Sequence, residues 1–180
     1  MGALTSPEVG NYCKRHYVSA FQKVATFQIN GGQKQGGNVA SYFCTPDGHV
    51  LHAVAGPVNF QIFLREARWA NDTYQLALLE NQKTLAQLRT FFRKAHLDRL
   101  QEEHNTRVAG DRLPNPAAMN SRLLGRFLDQ NQHVGLNNQG KVHLLLAVAP
   151  LPRLDQVYQV VFENILNEKI ATNPVKGAGG

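Results

Sequence analysis

The chain has 180 residues, a formal net charge of +6, 43% hydrophobic and 18% charged residues. That length holds one compact domain, or a small domain with an extension, and the composition excludes a disordered chain, a collagen-like repeat and a coiled-coil rod. Two cysteines exclude a disulfide-stapled miniprotein and a Cys-rich zinc module, no apolar run approaches the ~20 residues of a membrane-spanning helix, and residues 1–9 lack the pattern of a signal peptide.

Residues 6–17 predict a helix. Ser6 suits the N-cap, Pro7 the first helical position and Glu8 the positive end of the dipole, while Val9, Cys13, His16 and Tyr17 fall on one stripe. Residues 23–29 (KVATFQI) read as a strand. Residues 30–38 (NGGQKQGGN) carry four glycines and read as a flexible connection. Residues 39–44 (VASYFC) suit an interior strand. Thr45-Pro46-Asp47-Gly48 is a turn, because Pro presets φ and Asp-Gly tolerates positive φ, and residues 49–55 (HVLHAVA) pair back as a second strand before Gly56-Pro57.

From Phe60 to Val108 there is no Pro or Gly, and helix formers dominate. Asn59 is the expected cap. Asn71-Asp72-Thr73 is the expected break, giving helices over 60–70 and 73–108, the second with a stripe of Leu78, Leu85, Leu88, Phe92 and Leu100. Residues 110–116 read as a linker and 117–129 as a short helix. A strand stub is expected at 133–137, a turn at 137–140 and a buried strand at 141–149 (KVHLLLAVA). A helix over 156–170, capped by Asp155, and a disordered tail over 171–180 complete the pattern.

Two of these segments carry a resemblance. SPEVGNYCKRHYVSAFQKV is similar to the stretch that follows the active site in thioredoxin-like proteins, and NVASYFCTPDGHVLHAVAG resembles their final hairpin, with the helix from Phe60 as the last helix of that fold. The resemblance covers roughly residues 6–70. It implies an α/β protein with a partial or modified thioredoxin-like core over 1–70, to which the pattern of the residues adds a long helix over 71–108 and a helix–strand–helix extension over 109–170. The family's Cys-x-x-Cys is absent, its position falling at or before Met1, and Val39 or a neighbour stands where the family has a cis-proline.

No constellation of side chains adds a chemistry. Cys13 and Cys44 lie on separate elements and read as buried, inert thiols. His49 and His52, three apart on a strand, point to opposite faces; His96 and His104, eight apart on a helix, are too distant for one ion; His16, His133 and His143 are isolated. The glycine loop lacks the Lys-Ser/Thr of a P-loop. Arg89, Arg93, Lys94 and Arg99 read as a solvated helix face diluted by Asp98, Glu102 and Glu103, and Trp69 with Tyr74 as helix packing. The sequence therefore assigns no catalytic, cofactor-binding or metal-ligating residue and no cofactor. The leading expectation is a non-catalytic thioredoxin-like interaction or structural module, with a protein or peptide partner or a homodimer through the 60–108 tract. A thiol–disulfide redox protein whose Cys-x-x-Cys lies outside this chain is the alternative, and a basic nucleic-acid-binding protein the weaker one.

Overall fold

The computed structural model describes residues 3–21, 28–30, 33–35, 38–109, 113–130 and 135–170. It is a mixed α/β fold in which two small antiparallel sheets are outweighed by helix. Helix α1 (Pro7–His16) opens after Ser6, with Pro7 in its first turn. Strands β1 (Gln28–Asn30) and β2 (Gln33–Gln35) pair antiparallel, as do β3 (Ala40–Cys44) and β4 (Val50–Ala55). The β3–β4 hairpin turns where the sequence predicts. Gly48 adopts φ +83° and its N–H closes the turn on the Thr45 carbonyl at 2.9 Å, a conformation that costs a residue without Cβ nothing.

Helix α2 (Phe60–Leu79) starts at Asn59, whose side chain accepts from the Ile62 N–H, and α3 (Leu85–His104) follows a short turn. Beyond a 3-10 turn at Pro116–Ala118 come α4 (Ser121–Gln130), α5 (Asn138–Val148) and α6 (Leu154–Val160), the last continuing as a π-turn over Val161–Ile165. All of β4 is buried. Val50, Ala53 and Ala55 join a core with α4, α5, α6 and Leu100 of α3, while Leu51 and Val54 join a second core with Val9 of α1, Phe63, Leu64 and Ala67 of α2, and Phe92. Helix α5 lies along α3 and against β4.

Five expectations are corrected. The glycine-rich stretch is not all loop, since Gln33–Gln35 pairs with Gln28–Asn30. Helix α2 runs through Asn71-Asp72-Thr73, where the inward stripe of Ala67, Ala70 and Ala77 continues unbroken and Asp72 faces solvent. The break falls at Glu80–Thr84, where Thr84 and Gln87 form a reciprocal capping box that starts α3. Two helices of 20 residues thus stand where helices over 60–70 and 73–108 were expected, and Phe92 is buried within the chain, whereas Leu78 and Leu85 are exposed. Residues 137–149 are neither turn nor strand: Asn137 accepts from the Gly140 N–H and caps α5, whose residues 142–148 are buried all round. A wholly buried apolar run carries no helical or strand periodicity, so the pattern could not distinguish them. Finally, α6 begins at Leu154 rather than Gln156, with Arg153 in the cap position. The expected strand over 23–29 is described only at its end, Gly135–Asn137 form no strand, and residues 131–134 and the tail over 171–180 lie outside the described residues.

Candidate metal centre

Between the two cores the structure buries a set of polar side chains drawn from four elements. β4 is covered on both faces, so His52 has nowhere to go but inside. On α3, Phe92, His96, Arg99 and Leu100 make one inward stripe, and on α2 the stripe is Phe63, Glu66, Ala67 and Ala70. His143 sits in the middle of the covered helix α5. His52, Glu66 and His143 are 0% exposed and His96 is 1% exposed. Trp69 closes the set, its ring centroid 4.9, 5.0 and 5.5 Å from those of His52, His96 and His143.

The hydrogen bonds fix the proton on each ring. His96 Nε2 lies 3.1 Å from the Leu51 carbonyl, which only accepts, so Nε2 carries the hydrogen. His96 Nδ1 is 2.9 Å from His143 Nδ1. Because His96 Nδ1 then holds a lone pair, His143 donates from Nδ1 and keeps its lone pair on Nε2. His52 Nε2 lies 2.9 Å from the Glu66 carboxylate and donates to it, which leaves the lone pair on Nδ1. The Gln139 amide, 3.1 Å from the same Nε2, directs its hydrogen to the Ala53 carbonyl at 2.8 Å. Neither His52 Nδ1 nor His143 Nε2 has a hydrogen-bond partner among the described residues.

Glu66 is a charged anchor. Arg99 donates to both its oxygens, at 2.8 and 3.2 Å, and Arg65 reaches it from the surface at 2.7 Å. Arg99 also pairs with Glu103 and stacks over Trp69, 4.9 Å from the ring centroid. Burial alone would push the Glu66 carboxyl up; the hydrogen bonds and charges of His52 and Arg99 outweigh it and hold the group at about 2. Burial pushes all three histidines below their ordinary value, His96 and His143 furthest, since charging one would repel the others. They are neutral imidazoles, the form that binds metal.

One nitrogen from each of the three rings falls in a set no two of whose members are more than 4.8 Å apart. The ring centroids stand 4.8, 5.1 and 5.8 Å apart. A tetrahedral ion at ~2.05 Å from three imidazole nitrogens would separate those nitrogens by ~3.3 Å and the ring centroids by about 5.2 Å. The rings are therefore already at the right spacing, and closure needs rotations that shorten nitrogen separations by about 1.5 Å at most. Two of the three also have the outer partners that metal-bound histidines use, a carboxylate for His52 and a backbone carbonyl for His96.

Of the residues weighed in the sequence, the fold joins His52, His96 and His143 and leaves His49 outside, 2.9 Å from Asp47 near the surface. Spacing along one element could not show this, because each ligand comes from a different element. The available signal was a histidine inside an otherwise apolar run, in HVLHAVA and again in KVHLLLAVA. The basic run on α3 is not one solvated face: Arg99 is buried, Arg93 donates to the Ala147 and Val148 carbonyls at 3.0 and 3.1 Å, and only Lys94, paired with Asp98, and Arg89 are exposed. Cys13 and Cys44 are free and half-buried rather than fully buried, and burial raises the Cys13 thiol and pushes that of Cys44 up to about 11. A separate apolar cleft of about 170 Å³, lined by Leu4, Val39, Val54, Val58 and Phe63 among others, carries no charged side chain.

No family model, curated protein or solved structure matches this chain.

Proposed function

We propose that the chain is a non-catalytic, thioredoxin-like α/β module that holds one divalent transition-metal ion through His52, His96 and His143. The observation that carries the reading is the convergence of three buried, neutral imidazoles, two of which, His52 and His143, hold a nitrogen without a partner among the described residues, and two of which, His52 and His96, are oriented by an outer partner. An unsatisfied polar atom in a dry interior costs roughly 1–3 kcal/mol, and an ion held by the three rings would satisfy His52 Nδ1. Three imidazoles suit the zinc–copper end of the first-row series. The three rings leave the fourth position of a tetrahedral ion unfilled by protein, but all three are buried, so the centre offers no mouth to a substrate. The hairpin, its closing Gly56 and the helix after it support the thioredoxin-like part. The apolar cleft beside Val39 and Val54 offers such a module a place to hold an apolar side chain of a partner. Cys13 and Cys44, raised thiols on separate elements, give no support to the redox alternative, and the inward turn of Arg93 and Arg99 gives none to the nucleic-acid one.

Chelator-stripped protein dialysed against Zn²⁺ tests the reading. About one equivalent per chain is expected, lost in His96→Gln and His143→Gln variants that keep the wild-type circular dichroism. Uptake that is absent, or unchanged in both variants, would overturn it.

A further inference from the structure

A sealed centre needs a route by which its ion arrives, and the surroundings of the three histidines differ from side to side. On the α2 side, Glu66, Arg99, Glu103 and Arg65 form a continuous ionic cover. At the C-terminal end of α5, Arg93 fills the space with two hydrogen bonds to backbone carbonyls. Toward β4, His96 is bonded to the strand itself. Trp69 covers a further side, and where α3 ends beside the start of α5 stands another histidine. His104 is the last residue of α3 and half-buried, its ring centroid 6.3 Å from that of His143.

We propose that His104 and His143 form an outer, transient metal position through which the ion reaches the inner three histidines; the proposal rests on the metal reading above. His104 Nε2 is buried without a hydrogen-bond partner among the described residues, as is His143 Nε2. Two adjacent imidazoles each hold an unsatisfied nitrogen where α3 ends beside the start of α5. The close approach is built in at Gly140, one turn before His143. A Cβ there would lie 3.1 Å from His104 Nδ1 and 3.2 Å from its Cε1, so a side chain at this position would crowd the ring. His104 approaches only His143 among the three inner rings, which suits a carrier and not a fourth inner ligand.

The proton arrangement fits the direction of travel. Before the ion arrives, His143 donates from Nδ1 to His96 and its Nε2 lone pair is free, so the outer nitrogen is the one ready to bind. The ion is first held by His143 Nε2 and His104 Nε2. Transfer inward breaks the bonds to both Nε2 atoms and forms bonds to the Nδ1 atoms of His143, His96 and His52. The proton of His143 moves from Nδ1 to Nε2 in the exchange, and none is gained or lost overall.

Stopped-flow mixing of the metal-free full chain with Co²⁺, followed by its visible absorption, tests this. For His104→Ala and His104→Gln, loading slows about tenfold or more, as expected when one ligand bond is lost from the transition state. Release to a chelator slows equally, affinity and stoichiometry stay as in the wild type, and free imidazole in the buffer restores the rate in His104→Ala. Unchanged loading rates in both variants would overturn the route and leave the inner site standing. Weakened affinity with one equivalent still bound would make His104 a permanent ligand and also overturn it. A wild-type chain that takes up no ion would remove the metal reading itself.

Discussion

Replacing Arg99 with Met removes the charge that holds Glu66 inside the protein while keeping much of the side chain's volume. Arg99 makes two charge-assisted hydrogen bonds to Glu66, at 2.8 and 3.2 Å, and two to Glu103, from Nε at 2.8 Å and from Nη2, besides its stacking on Trp69. Breaking a buried ion pair from one side costs about 3–5 kcal/mol, because the other charge stays behind uncompensated. Here Glu66 keeps His52 at 2.9 Å and the half-exposed Arg65 at 2.7 Å, which places the loss at the lower end, near 3 kcal/mol. For a chain of this size that lowers the melting temperature by about 10 °C. Urea unfolding in EDTA, which keeps metal out of the balance, should show the midpoint falling at constant m. Glu66→Gln alone leaves Arg99 with Glu103 as its carboxylate partner, takes the Glu66 carboxylate from His52 and Arg65, and should cost a similar amount; the double variant should lose clearly less than the sum. A loss below about 1 kcal/mol for Arg99→Met, or additivity of the two changes within ~0.5 kcal/mol, would refute the view that this pair anchors the centre.

Three further outcomes follow from other parts of the fold. With its thiol pushed from 9.0 to about 11, Cys44 should react with a water-soluble alkylating reagent roughly 100-fold more slowly than an unperturbed thiol at pH 8, gaining about tenfold per pH unit up to pH 10; fast labelling at pH 8 would show the thiol to be unshielded. Thr84→Ala removes the capping box that starts α3 and should cost about 1 kcal/mol in urea unfolding, with an unchanged spectrum. Insulin reduction in dithiothreitol should not exceed that of the Cys13→Ser/Cys44→Ser variant, since the two thiols are free, raised and on different elements.

The parts of the fold that could be read from sequence are those set by local chemistry. Pro46-Asp47-Gly48 demands a turn and Asn59 a helix start, and both are where they were expected. Thr84 and Gln87 carried an equally local signal, a Thr-x-x-Gln box ahead of a helical run, but Asn71-Asp72-Thr73 drew the break to the wrong place because cap-forming residues also serve on an exposed helix face. Helix α5 was hidden for the opposite reason: Val142 to Val148 are buried on every side, and a run without a polar face has no period. The centre itself was illegible because His52, His96 and His143 meet only after β4, α3 and α5 have packed. Glu66, which orients one of them, stands in a run of helix formers with nothing in its neighbours to mark it.

X-ray absorption at the metal edge of the zinc-loaded chain tests the central claim most directly. The account predicts one ion with imidazole scattering from three rings at ~2.0–2.1 Å, and the loss of that signal when His52, His96 and His143 are each changed to Gln. A spectrum without histidine scattering, or one that survives those substitutions, would contradict it.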